Sequence, residues 1–182
     1  MSNMEHNWEV KKLNQISDNL DNKRVPITKK NRKEGLIPYY GASEIVDYVA
    51  DYLFDEDLLC ISEDGANLLA RTYPIAFSIS GKTWINNHAH VLRFANMVSQ
   101  KFVELYLNSI KLDNFISGMA QPKLNQTRLN KIPIPFPPYI EQQRILKKIN
   151  ALSSKTEKIE AVYQKKIDNL EELKKKCVAK SI

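Results

Sequence analysis

The segment YIEQQRILKKINALSSKTEKIEAVYQKKIDNLEELKKKCVAKSI, residues 139–182, decides the architecture of this chain. It contains no Gly or Pro. Glu141 lies in its first turn and Lys174–Lys176 lie near its end, a charge order that suits the helix dipole. Residues at alternating steps of four and three fill the a and d positions of a heptad repeat. These seam positions are Ile145, Ile149, Leu152, Thr156, Ile159, Tyr163, Lys166, Leu170, Leu173 and Cys177. The pattern predicts one long coiled-coil helix with an apolar seam.

Such a helix would be too long for the rest of the chain to cover. Residues 139–182 would extend about 65 Å, whereas a globular domain over residues 1–138 would be about 37 Å across. We therefore predict a domain over 1–138, a helix over 139–182, and a second helix that buries the far part of the seam. Val162 and Ile167 widen the apolar stripe and favour packing on more than one neighbour. A single solvated helix is the alternative, because Thr156 and Lys166 interrupt the seam.

The composition narrows the class of protein. The chain has 182 residues, a net charge of +6, and no apolar run near the ~20 residues that span a bilayer. Residues 139–182 hold most of the positive excess, with 11 Lys and Arg against 6 Asp and Glu. The start, MSNMEHNWEV, is too polar for a signal peptide, and Cys60 and Cys177 form neither a metal spacing nor a disulfide framework. We therefore expect a cytoplasmic protein without a membrane partner.

Residues 1–138 alternate short β-prone runs with turn formers. The predicted strands begin near Trp8 and Val10 and continue with Gly35–Gly41, Ile45–Tyr52, Leu58–Ile61, Pro74–Ser80, Thr83–Ile85 and His90–Phe94. A period of 3.6 over Val98–Ile110 predicts an amphipathic helix. We expect an exposed loop over 21–34, and the prolines of Ile132–Pro138 allow only an edge strand or an extended segment outside a sheet. The pattern predicts an α+β domain with a strongly curved sheet of short strands and a packed helix, followed by the long helix.

Four sets of residues are candidates for contact with DNA. The basic set, which can neutralise phosphates without sequence preference, is Lys29, Lys30, Arg32 and Lys33. The second set, at the end of a strand where tyrosines are as often core residues, is Tyr39, Tyr40 and Ser43. The third set, rich in donors and acceptors for base edges, is Lys82, Trp84, Asn86 and Asn87. The last set, on the connection before the helix, is Gln121, Lys123 and Asn125.

The third set has an alternative interpretation. Asn86, Asn87 and His88 could instead hold a turn through bonds from side chain to backbone, and for His88 and His90 that is as good an explanation. Asp64 with either histidine could be proposed as a nuclease fragment, but polar loop residues that bond locally are far more common. The sequence contains no GxGxxG and no Walker motif, so we expect this chain to bind neither a nucleotide nor S-adenosylmethionine.

Five runs, taken in order, resemble the specificity subunits of type I restriction–modification enzymes. They are Ile37–Ser43 (IPYYGAS), Ser62–Asn67 (SEDGAN), Gly81–Val91 (GKTWINNHAHV), Gln121–Asn125 (QPKLN) and Ile132–Pro138 (IPIPFPP), the last followed by Glu141–Ile145 (EQQRI). The resemblance implies a DNA-recognition subunit without catalysis of its own. It implies docking onto methyltransferase subunits and, through them, onto a restriction subunit. S-adenosylmethionine, ATP and Mg²⁺ are expected only in those partners.

The chain departs from the family pattern in one respect. Members of the family usually carry two recognition domains and two antiparallel spacer helices, whereas this sequence has one of each. It looks like a half subunit. We therefore expect two copies to pair through the seam and to read a split palindrome in double-stranded DNA. The alternative is a coiled-coil interaction module that reads no DNA and binds or antagonises a full-length specificity subunit.

Overall fold

The computed structural model describes residues 8–118 and 120–179, with the backbone alone at residues 177–179. Its strands are β1 (Val10–Lys12), β2 (Asp18–Asn19), β3 (Glu34–Tyr40), β4 (Ile45–Val49), β5 (Phe54–Asp55), β6 (Leu58–Ser62), β7 (Ala76–Ile79), β8 (Lys82–Ile85), β9 (Ala89–Arg93) and β10 (Pro133–Pro135). Its α-helices are α1 (Asn67–Ala70), α2 (Met97–Ser109), α3 (Gln126–Leu129) and α4 (Tyr139–Ala179). The chain divides into two compact units, residues 1–142 and residues 143–182.

The strands of the first unit form three sheets. One antiparallel sheet has the order β2-β9-β6-β7, and a mixed sheet has the order β4-β3-β8-β5 with β3 and β8 parallel. The third sheet is the antiparallel pair β1-β10. All five residues of β6 are buried, as expected for a central strand with both faces covered. The fold is therefore α+β, but the described strands are divided among three sheets, and the predicted strong curvature is not confirmed.

Helix α2 is fixed at both its start and its packing face. The Asn96 side chain accepts a hydrogen bond from Ser99 N at 2.9 Å, which satisfies one of the unpaired N–H groups of the first turn. From the last turn, Asn108 Oδ1 accepts from Ile75 N and Ala76 N at 3.0 Å each, and its Nδ2 donates to Ala76 O at 2.7 Å. The amide thus satisfies backbone groups at the start of β7 and attaches the helix to that edge strand.

Most predicted elements are present. The predicted strands and the helix over Val98–Ile110 are confirmed to within a few residues, and Pro133 and Pro135 lie in an edge strand, where missing N–H donors are tolerated. The two-residue strands β2 and β5 were not predicted, because two residues are too few for an alternating pattern to show. The exposed loop predicted over 21–34 is partly wrong. It contains two 3-10 turns, Asp21–Lys23 and Lys29–Asn31, and its arginines are half-buried.

Helix α4 begins at Tyr139, the predicted residue, directly after Pro137 and Pro138. Pro138 O accepts from Glu141 N at 2.9 Å and from Gln142 N at 3.1 Å, which starts the helical hydrogen bonds. The 41 residues of α4 have a length of about 61 Å at 1.5 Å per residue. In the part of the chain that the structure describes, no helix is long and apolar enough to cross a membrane.

Candidate nucleic-acid interface

Three loops that are distant in sequence meet at one place in the first unit. We call them the three-loop cluster: Glu63–Gly65 after β6, Asn86–His88 after β8, and Gln121–Asn125 before α3. Glu63 N donates to His88 O, and Leu124 N donates to Glu63 O, both at 2.8 Å. Gly65 N donates to Pro122 O at 3.1 Å. Asn86 and Asn87 of the third set are thus held beside the fourth set by backbone hydrogen bonds, whereas Lys82 and Trp84 lie in β8.

A buried histidine lies beneath the three-loop cluster. His90, 1% exposed, has Nδ1 at 2.5 Å from an Asp21 carboxylate oxygen and donates from Nε2 to Leu124 O at 2.6 Å. Both ring nitrogens thus face oxygen atoms, which fixes the ring between the segment Asp21–Arg24 and the loop that carries Leu124. Burial opposes ionisation of Asp21, but the hydrogen bond and charge of His90, the Val91 N–H and the charge of Arg24 outweigh it. They hold the pKa of Asp21 below its ordinary value.

A second ion-pair group continues from this histidine to the surface. Arg24 Nη1 lies 2.8 Å from Glu63 Oε2 and donates to Ala89 O at 2.7 Å. The other Glu63 oxygen lies 3.2 Å from the ammonium of Lys123. Burial opposes ionisation of Glu63 too, yet hydrogen bonds from Arg24 and Lys123 and the charge of His90 lower its pKa. The cluster therefore rests on a charged network that links the loops Glu63–Gly65 and Gln121–Asn125 to the segment Asp21–Arg24 and to His90.

The exposed side chains of the three-loop cluster can reach a ligand. Asn86 and Asn125 instead form hydrogen bonds with backbone N–H groups. Asn86 is buried at 7% exposure and accepts from His88 N at 2.8 Å, so for this residue the turn-holding alternative is confirmed. Asn125 accepts from Arg128 N at 3.0 Å and caps α3. The side chains exposed at the surface are Asn87, His88, Gln121 and Lys123, of which His88 pairs with Asp64 and Lys123 with Glu63.

The residues of the basic set differ in their exposure and in their contacts. Lys29, Lys30 and Lys33 are exposed, but Arg32 pairs with Asp47 at 2.9 Å. The hydrogen bond that Arg32 donates to the Asp47 carboxylate raises the pKa of its guanidinium, which also lies 4.2 Å above the centre of the Tyr39 ring. Arg32 is therefore paired within the domain, and its contact with phosphates stays a prediction. Arg32 fixes the loop that carries the three lysines.

The prediction that Tyr39 contacts DNA is corrected. It is 1% exposed, and its hydroxyl accepts from Ile27 N at 3.2 Å. Side chains alternate faces along a strand, and β3 directs this residue inward. Its neighbour Tyr40 is half-buried and packs against Phe77 at 5.8 Å between ring centres. Tyr39 is thus a core residue that supports the segment before the basic set through its hydrogen bond with Ile27.

The remaining predicted contacts lie around β3 and β8. Ser43 is half-buried with its hydroxyl 3.1 Å from that of Ser62. Trp84 donates from Nε1 to Val25 O at 2.7 Å, which attaches the segment before the basic set to β8. Lys82 is exposed with its ammonium 4.7 Å from the centre of the Tyr52 ring. Of Ser43, Trp84 and Lys82, Lys82 is the charged residue and its side chain is exposed.

His88 and Asp64 are the titratable pair at the surface of the three-loop cluster. His88 Nδ1 lies 2.9 and 3.0 Å from the two Asp64 oxygens.

The thiol of Cys60 is buried, and burial raises its pKa, which makes it a poor nucleophile. Within residues 8–118 and 120–179, no group of three or more His, Cys, Asp and Glu side chains could hold a metal ion.

The seam of α4, in the second unit, is open to solvent. Its large side chains are 55% to 66% exposed at Leu152, Ile159, Tyr163, Leu170 and Leu173, whereas Ile145 and Ile149 are half-buried. The Cys177 side chain, predicted as a further seam position, lies outside the described residues. Among the described seam positions, Thr156 and Lys166 interrupt this row of exposed large apolar side chains, and such a row is uncommon on a helix without a partner.

These features define a class of protein: an α+β domain with a polar loop cluster held by backbone hydrogen bonds, followed in the chain by one long helix. The family model of the type I restriction modification DNA specificity domain matches residues 5–171. The chain therefore belongs to this family.

Its relatives agree with that assignment. A curated protein of Haemophilus influenzae, named as a type I restriction enzyme specificity subunit, is 36% identical over 148 residues, which are 81% of this chain and 38% of the relative. The fold is similar to that of an S subunit from M. genitalium, with a TM-score of 0.65, 15% identity, and 85% of this chain aligned to 41% of that one. It is also similar to the HsdS subunit of Thermoanaerobacter tengcongensis, with a TM-score of 0.56, 17% identity, and coverage of 85% and 39%. The chain thus spans about two fifths of the length of these relatives.

Proposed function

We propose that this chain is a DNA-specificity subunit that reads one half of a split site in double-stranded DNA. The observation that supports the proposal most is the three-loop cluster, whose exposed Asn87, Gln121 and Lys123 stand on a buried charged network. Amide and ammonium groups suit adenine and guanine edges in the major groove, and a fixed position is what base discrimination requires. The exposed Lys29, Lys30 and Lys33 would contact phosphates, which adds affinity without sequence preference.

Assembly belongs to the same proposal. The exposed seam of α4 would pair with the seam of a second copy, so that two recognition domains read two half-sites in inverted orientation. The pair would dock methyltransferase subunits and, through them, a restriction subunit. The chemistry would then be performed by those partners, which would bind S-adenosylmethionine, ATP and Mg²⁺, and this chain would have no catalytic role. Such a complex acts on cellular DNA, which agrees with the expected cytoplasmic location.

Methylome sequencing tests this function. The chain is expressed with its methyltransferase in a host that lacks other methylation systems. We expect a methylated motif with two identical half-sites in inverted orientation, separated by a fixed gap. An Asn87→Ala chain, with Asn150→Ala on α4 as the matched control, should change the motif at one base pair in each half.

Other outcomes have definite meanings. An asymmetric motif would show that a different chain supplies the second half and would contradict the homodimer. Absence of any methylated motif, although the complex with the methyltransferase forms, would favour the interaction module that reads no DNA.

A further inference from the structure

The order of polar and apolar residues along the α4 seam restricts how two copies can pair. We propose that two α4 helices pair antiparallel in one register, about a two-fold axis at the level of Ala161. This inference rests on the proposed homodimer and adds its geometry. It is supported by the positions of Thr156 and Lys166, the two polar residues among the described seam positions.

In an antiparallel pair, an a residue of one helix packs in the same layer as a d residue of the other. With the axis at Ala161, Ile149 meets Leu173 of the second copy and Leu152 meets Leu170. Ile159 meets Tyr163 next to the axis. Thr156 then meets Lys166, so that every apolar seam residue in this range faces an apolar one and the polar residues share a layer.

Other arrangements separate the polar residues or place like charges together. A shift of one heptad places Lys166 against Ile149 or Tyr163, and an ammonium packed in an apolar layer loses its hydration without a partner. A parallel pair places Lys166 against Lys166 of the second copy, so two ammonium groups would share one layer. A polar residue at a seam position is a known means of fixing register at some cost in stability. The antiparallel register about Ala161 avoids both penalties.

Side chains beside the seam agree with this register. Val162, 55% exposed, lies at a g position and would meet Val162 of the second copy across the axis. The ammonium of Lys166, now 5.5 Å from the centre of its own Tyr163 ring, would lie about 6 Å along the axis from Glu160 of the second copy. The two copies would thus place one lysine beyond each Glu160, which offsets part of the repulsion between the two Glu160 carboxylates at the axis.

The polar layer itself can be satisfied. Thr156 Oγ1 donates to Leu152 O at 3.2 Å within its own helix, and its lone pairs remain able to accept from a lysine ammonium. Helices that pack through such seams lie about 8–10 Å apart, within reach of a lysine side chain. The layer therefore costs less than an apolar layer interrupted by one charge.

Cross-linking of single cysteines with a short bismaleimide reagent tests the register in the full chain. All variants carry Cys177→Ala, and the buried Cys60 stays unreactive because burial raises the pKa of its thiol. Val162→Cys should convert most of the chain into a covalent dimer, because the residue meets its own mate. Leu170→Cys should remain uncoupled, since its two copies would lie about 27 Å apart along the axis. Sedimentation of each variant measures how much dimer is present before the reagent is added.

The outcomes separate the possibilities. A dimer that cross-links through Val162→Cys and not through Leu170→Cys supports the proposal, whereas the reverse shows a parallel pair and overturns it. A sedimenting dimer that links through neither variant has another register and also overturns it. A monomer in all preparations means that a helix of a different protein covers the seam. Because the assay contains no DNA, each of these results is independent of whether the domain reads DNA.

Discussion

Substitution of Asp21 by Asn should weaken the fold strongly, because Asp21 is the buried anion of the network under the three-loop cluster. Its side chain is 6% exposed, and it accepts from His90 Nδ1 at 2.5 Å and from Val91 N at 2.9 Å. Removal of one partner from a buried ion pair typically costs about 3–5 kcal/mol. The new amide can still form a hydrogen bond with His90 Nδ1, so we expect the lower end, about 3 kcal/mol.

Urea denaturation followed by circular dichroism measures this loss. With a slope of about 2 kcal/mol per molar urea, 3 kcal/mol lowers the midpoint by about 1.5 M. Asp18→Asn is the matched control. Asp18 pairs with Arg93 at 3.0 Å, but its side chain is 68% exposed, so the midpoint should not change. If Asp21→Asn moves the midpoint no more than Asp18→Asn does, the network does not stabilise the domain and the reasoning is wrong.

The same network determines how stability responds to acid. The pKa values of Asp21 and Glu63 are lowered in the folded chain from ordinary values of 3.8 and 4.5. A lowered carboxyl pKa contributes stability above the ordinary value, and that contribution is lost as the pH falls through the folded value. The midpoint in urea should therefore fall between about pH 5 and pH 3, and it should fall less in Asp21→Asn. Parallel curves for the two proteins would contradict this assignment.

Three further predictions concern DNA binding and assembly, with the motif found by methylome sequencing as the duplex. Lys29→Ala with Lys30→Ala should reduce the slope of log affinity against log salt by about two units on specific and random duplexes alike. A changed sequence preference would show instead that these lysines lie on a loop that reads bases. Asn87→Ala should cost about 1–3 kcal/mol at one base pair with an unchanged melting temperature, whereas Asn86→Ala should lower the melting temperature because its side chain holds the turn. Leu152→Glu with Leu170→Glu should give monomers by sedimentation and weak binding to the full split site, and a dimer that survives both changes would show that the seam is not the interface.

The sequence alone determined the elements whose signals are local. The period of α4 and the prolines before it placed its start at Tyr139, because a helix repeats its pattern every few residues and needs no distant partner to show it. The strands of the first unit were visible for the same reason, in short apolar runs between turn formers. The exposed lysines and the resemblance of five short runs pointed to a DNA-recognition subunit, and the family match agrees with that interpretation.

Only the tertiary structure decided which polar residues are structural and which face solvent. His90 and Asp21 are separated by 69 positions, and Arg24 and Glu63 by 39, so no spacing rule could join them. Tyr39 belongs to the core because its strand directs it inward. The Asn86 side chain is buried and accepts a hydrogen bond from His88 N, whereas the side chain of its neighbour Asn87 is exposed. Such contacts depend on how the sheets bring loops together, and they are fixed by ion pairing and hydrogen bonding of buried groups that are far apart in sequence.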